Sequence, residues 1–139
     1  MRRVKVLAAV LAFLSLAMPY AVNAQLWGGM SVTIPFEFYV ETYKFPAGTY
    51  SVLRGANSLV RLSNHNGSNI GILTVDTPNT TKNRDGALVF NQYESRYFLS
   101  EVRWQDRSMA GAVRKSKFET DIARQFAANQ ALVASNKSR

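Results

Sequence analysis

Apolar and polar side chains alternate without a break over residues 31–41. Val32, Ile34, Phe36, Phe38 and Val40 share one face, and Ser31, Thr33, Pro35, Glu37, Tyr39 and Glu41 share the other. A period of two marks a strand with one dry face and one wet face. The pattern predicts a single strand with Phe36 and Phe38 in the core. Pro35 has no N–H to give a ladder, which points to an edge strand or a bulge. Phe45-Pro46-Ala47-Gly48 reads as a turn, with Pro46 fixing φ and Gly48 free to take positive φ. A second strand follows over residues 49–54, rich in side chains that suit a pleated surface.

Gly55-Ala56-Asn57 is a tight connection, and residues 58–63 form a short strand. Asn66-Gly67 is a strong hairpin signal, which sends residues 69–75 back against it. Residues 76–85 are polar and without period, hence a loop. Residues 86–91 and 96–104 form a last hairpin, turning at residues 91–95. Both of its faces are apolar. Leu88 and Phe90 oppose Ala87 and Val89; Phe98, Val102 and Trp104 oppose Tyr97 and Leu99. Two apolar faces require cover on both sides. The cover comes from the C-terminal segment. Ser116-Lys117-Phe118-Glu119 is a capping box, and Phe118, Ile122, Phe126 and Val133 lie on one helical stripe. This predicts a helix over residues 117–134 whose first two turns lie on the hairpin. The expected fold is all-β: a small antiparallel β-sandwich or barrel of about six strands, followed by a C-terminal α-helix.

The first residues change the picture. Met1-Arg2-Arg3-Val4-Lys5 is basic, residues 6–18 are apolar, and Val22 and Ala24 stand at the −3 and −1 positions of a cleavage site. That is the grammar of a secretory signal peptide cut after Ala24. The apolar run is shorter than the roughly 20 residues a spanning helix needs. The expected division is 1–24 signal peptide, 25–115 antiparallel β domain, and 116–139 helix and tail, with the mature chain exported to the periplasm or beyond the cell. Trp27, just past the cut, is expected to tuck against the body. The chain has no cysteine, so packing alone must hold the domain. It also lacks the material for thiolate metal sites or thiol catalysis.

Charge is uneven. Of the formal net charge of +8, the part outside the leader sits beyond Glu101, because acids match bases between Gln25 and Glu101. Arg103, Arg107, Arg114, Lys115, Lys117 and Arg124 are therefore candidates for contact with an anionic surface. Tyr39, Tyr43 and Tyr93 are candidates for a ligand surface that stacks on sugars. The lone histidine, His65, sits in a hairpin turn without a nucleophile or orienting carboxylate nearby in sequence. One histidine and no cysteine fall short of a zinc ligand set. No phosphate-binding glycine loop or G-x-S-x-G occurs. No cofactor, metal or catalytic residue is expected.

Three segments together resemble a family of small exported β proteins abundant in soil bacteria: IPFEFYV at 34–40, FPAGTYSV at 45–52 and LVFNQYESRYFLSEV at 88–102. That family shows a signal peptide, an IPF strand, a PAGTY turn, a VF-x-x-Y hairpin with RYFL, and a serine-led charged helix. It carries no assigned activity, so the resemblance implies a fold and an address and transfers no functional residue. This chain departs from it at Glu94-Ser95, where the family favours Gly-Asp, and at Lys115, where a proline commonly precedes the helix. The expectation is an exported, non-catalytic β domain with a structural or binding role at the envelope or outside the cell. The alternative is a module binding carbohydrate or an anionic surface. A polysaccharide or anionic envelope surface is the expected partner class; nucleic acid is not.

Overall fold

The structure is a computed structural model and describes residues 29–80, 85–105 and 107–136. The leader, Trp27, Lys137 and Arg139 lie outside the described residues. Ten strands and one short helix make up the described chain: β1 (Gly29–Ile34), β2 (Phe38–Val40), β3 (Tyr43–Phe45), β4 (Gly48–Arg54), β5 (Leu59–Asn64), β6 (Asn69–Pro78), β7 (Ala87–Tyr93), β8 (Arg96–Arg103), β9 (Met109–Val113), α1 (Lys117–Ala123) and β10 (Asn129–Ala134). The all-β class with a C-terminal helix holds, but ten strands replace the expected six. The sheet is open and runs β1-β4-β5-β6-β9-β8-β2-β3, with β7 beside β8 and β10 beside β7.

The expected first strand is broken in two. β1 pairs with β4, whereas β2 pairs with β3 and touches β8 through Tyr39 and Phe98. The corner falls at Pro35, where a ladder donor is missing. The inward alternation survives the corner, because both pieces face one core: Val32, Ile34, Phe38 and Val40 are fully buried. Phe36, at the corner, is only half-buried. It stacks on Tyr97 with ring centroids 3.7 Å apart and meets the edge of Phe90. Glu41, expected at the end of the strand, sits in the turn between β2 and β3 at φ 57.

Turns carry the expected chemistry with small shifts. Asn57 and Ser58 both take positive φ under a bond from Leu59 N–H to Ala56 C=O, 3.1 Å, the mirror-image turn that suits strand twist. Gly67 has φ 87, and the Asn64 side chain accepts from the N–H groups of Asn66 and Ser68. Glu94 adopts φ 54 in the β7–β8 turn, a backbone that a glycine would take without strain. β6 continues to Pro78, so the first residues of the expected loop belong to a strand. Its first half pairs with β5 and its second with β9.

A bulge reorders the faces of the last hairpin. β7 and β8 slip register between Val89 and Phe90, leaving Ser100 unpaired with its hydroxyl on Val89 C=O at 3.1 Å. One extra residue reverses the phase of a strand. Leu99, Val102 and Trp104 therefore all enter the main core, while Phe98 turns outward to a second cluster with Tyr93 and Ile122. The simple alternation had grouped Phe98 with Val102 and Trp104.

The largest correction lies at the C-terminus. Helix α1 ends at Ala123, and residues 129–134 form β10 along β7. Alanine, glutamine and leucine favour a helix, but the free edge of β7 offers a ladder and Ala131 and Val133 then face the main core. Tertiary pairing overrides local propensity here. Residues 129–134 thus join the β body through the edge of β7. The expected packing of α1 holds at Ile122, which is buried against Tyr93 and Phe98; Phe118 meets the edges of Tyr39 and Phe98 but stays 38% exposed.

Candidate functional surfaces

The three tyrosines do not form one ligand face. Tyr93 closes β7 and points under α1, where it is 1% exposed. It offers no stacking surface, because the bulge and the helix together bury the outer face of the hairpin. Tyr39 stacks on Phe98 at 4.9 Å and is half-covered by Phe118. Tyr43, next to the β2–β3 turn, is 61% exposed.

Sequence reasoning missed the polar centre beneath the helix. Glu119 is 3% exposed, and its Oε1 accepts from Tyr93 OH at 3.1 Å and from Asn91 Nδ2 at 3.0 Å. A buried carboxylate needs such donors to offset lost hydration. Burial first, then the charge of Glu119 and its hydrogen bond, push the Tyr93 phenol up to about 12. The capping box had marked Glu119 as a cap. Ser116 does cap, since its Oγ accepts from Glu119 N–H at 3.1 Å, but the Glu119 side chain turns to the sheet instead. The same serine hydroxyl also lies 3.2 Å from Glu41 C=O, which ties the helix start to the β2–β3 turn.

The basic residues divide between two ends of the sheet. Arg103 ends β8 and Arg107 lies in the loop before β9, with Arg103 Nε held by Glu101 at 2.7 Å. Arg114, Lys115 and Lys117 follow the far end of β9, about 13 Å away at the rise of an extended strand. Arg124, at the end of α1, approaches Asp121 at 3.9 Å. Arg114, Lys115 and Lys117 are exposed and make no ion pair among the described residues.

A second surface lies on the outer face of β1, β4 and β5. Register sets Ser31 beside Ser51 and Ser51 beside Ser63. These serines, with Thr49, Asn64 and His65, line an open hollow of about 180 Å³. Thr33 and Thr49 hydroxyls meet at 3.0 Å, and Asn136 Nδ2 donates to Ser31 Oγ at 3.3 Å and Thr33 Oγ1 at 3.1 Å. The wall offers neutral donors and acceptors and one imidazole, with no carboxylate. Its signal in the sequence was the run of hydroxyls at outward positions, legible only once the register was known.

Among the described residues no three His, Cys, Asp or Glu side chains gather as metal ligands, and no helix is long and apolar enough to cross a membrane. Fold and surfaces define a cysteine-free, all-β protein with one short covering helix. Comparison with protein families, curated proteins and solved structures gives no match.

Proposed function

We propose that this chain is an exported β domain that acts without catalysis, in a structural or binding role at the cell envelope or outside the cell. The observation that carries the reading is the composition of its interior. Aliphatic and aromatic side chains fill it, and Glu119 is the one buried charged group among the described residues, held by Asn91 and Tyr93 inside the fold. Polar groups able to meet another molecule are then confined to the outer surface. The pattern of residues 1–24 supports export, and the motifs at 34–40, 45–52 and 88–102 support membership of the exported soil-bacterial family. A backbone bond from Asn136 N–H to Ser31 C=O, 2.7 Å, draws the last strand's end to the first strand. It favours a barrel-like closure over a sandwich.

The experiment is fractionation of cells producing the full chain. Protein recovered outside the cytoplasm with Gln25 as its first residue supports the reading; protein retained inside with Met1 intact refutes it. A second reading, a module for carbohydrate or an anionic surface, draws on Tyr43, the hydroxyl-lined hollow and the unpaired basic residues after β9. Retention on polysaccharide or on anionic lipid that is lost at high salt separates it from a purely structural role.

A further inference from the structure

We propose that residues 114–118 and the neighbouring Tyr43 form a docking face for an anionic lipid surface. The proposal rests on the binding form of the function above and names its site and partner. Arg114, Lys115 and Lys117 put three unpaired cations within four residues of chain, all exposed. The next residue, Phe118, keeps 38% of its surface in water although its ring contacts Tyr39 and Phe98. The Ser116 hydroxyl on Glu41 C=O holds this segment against the turn that leads into Tyr43. Register sets Tyr43 beside Val40, and Phe118 meets Tyr39, so the two rings flank the β2–β3 turn from opposite faces, with the three cations next to Phe118 in the chain.

Each part has a use at a membrane surface. Cations near an anionic headgroup layer each contribute about 1 kcal/mol, and aromatic rings settle at the headgroup level. An acidic polysaccharide would engage the cations and the phenol of Tyr43, but it has no call on the exposed hydrocarbon edge of Phe118. Of the other cations, Arg54, Arg61 and Arg96 also make no ion pair among the described residues, but they stand on β4, β5 and β8 rather than beside Phe118 in the chain. Arg103 is bound to Glu101, Lys44 to Glu37 and Arg124 to Asp121, while Arg107 lies beyond the opposite end of β9. Glu41 adjoins through the Ser116 contact and Asp121 stands one helical turn after Lys117; three cations against these two acids leave the segment positive.

The test is sedimentation of the full chain with vesicles of equal parts phosphatidylglycerol and phosphatidylcholine, against vesicles of phosphatidylcholine alone. Residues 1–24 are common to every variant, so the readout is the difference between variants. The triple variant R114Q/K115Q/K117Q should weaken binding to the anionic vesicles on the order of 100-fold, three headgroup contacts being lost. The control R54Q/R61Q/R107Q removes the same charge elsewhere and should bind nearly as the parent does. Tyr43→Ser, at an exposed position with no ring partner, should weaken binding several-fold without loss of fold. Equal losses from both triple variants would make the effect one of general charge and overturn the proposal. So would capture by an acidic polysaccharide with indifference to vesicles. Either result leaves the export test untouched, so failure here and failure of the export reading are told apart.

Discussion

Phe38 and Phe36 stand two residues apart on the same face, yet their surroundings differ. Phe38 is fully buried among Phe45, Tyr50 and Phe90. Phe36 lies at the Pro35 corner, half-exposed over Tyr97. In urea denaturation Phe38→Ala should cost about 3–5 kcal/mol, Phe36→Ala about 2 kcal/mol, and Tyr43→Ala under about 0.5 kcal/mol. Glu119 makes a second case. Glu119→Leu strands the Asn91 amide and the Tyr93 hydroxyl and should cost about 2–4 kcal/mol; Glu119→Gln keeps an acceptor and should cost about 1 kcal/mol or less. The same contact sets a pH dependence. The Tyr93 phenol titrates near 10 in an unfolded chain and at about 12 in the fold. The unfolded chain therefore loses that proton first, and its contribution is whole below about pH 10 and disappears as pH rises through about 12. Tyr93→Phe should flatten the fall in denaturation midpoint over that window. Some slope should remain, because burial also raises Tyr50.

Elements in this protein are short, and their neighbours decide them. Seven helical residues cannot hold a helix in water by themselves. Helix α1 stands because Ser116 caps it and Ile122 and Phe118 seat it on the hairpin. β10 shows the same dependence in reverse. Its residues read as a continuation of that helix until the edge of β7 is available. In a strand, Val133 faces the core and Leu132 faces water at 57% exposure. Val133→Asp should therefore destabilise by more than about 2 kcal/mol, whereas Leu132→Asp should stay within about 0.5 kcal/mol. Denaturation of the two variants side by side checks this; equal costs would mean that residues 129–134 do not alternate.

At the scale of the molecule, first and last strands share one core. Val32 and Val40 near the start pack in the same cluster as Leu88, Val102 and Val113, with Ala131 and Val133 against it. Without a disulfide, the fold depends on that cluster being complete. Removing residues 125–139 deletes β10, bares the edge of β7 and uncovers part of the core. The shortened chain should lose its cooperative urea transition and scatter light as edges pair between molecules. Retention of a sharp transition would show that the first nine strands suffice.

Local order in the chain was enough for the all-β class, the core face of residues 32–40, the turn at Gly67, a turn within residues 91–95, and the docking of the helix start on the last hairpin. Each of these depends on neighbours within a few residues, where alternation, turn chemistry and capping act directly. The break at Pro35, the reversal of phase at Ser100, the burial of Tyr93 over Glu119 and the strand at residues 129–134 were settled in three dimensions. In each, a partner distant in sequence supplied the ladder or the cover that local propensity could not foresee. The inward alternation of the first strands could be read from the chain because water and core impose it residue by residue. Which edge those strands would meet could not, because an edge exists only once the sheet has formed.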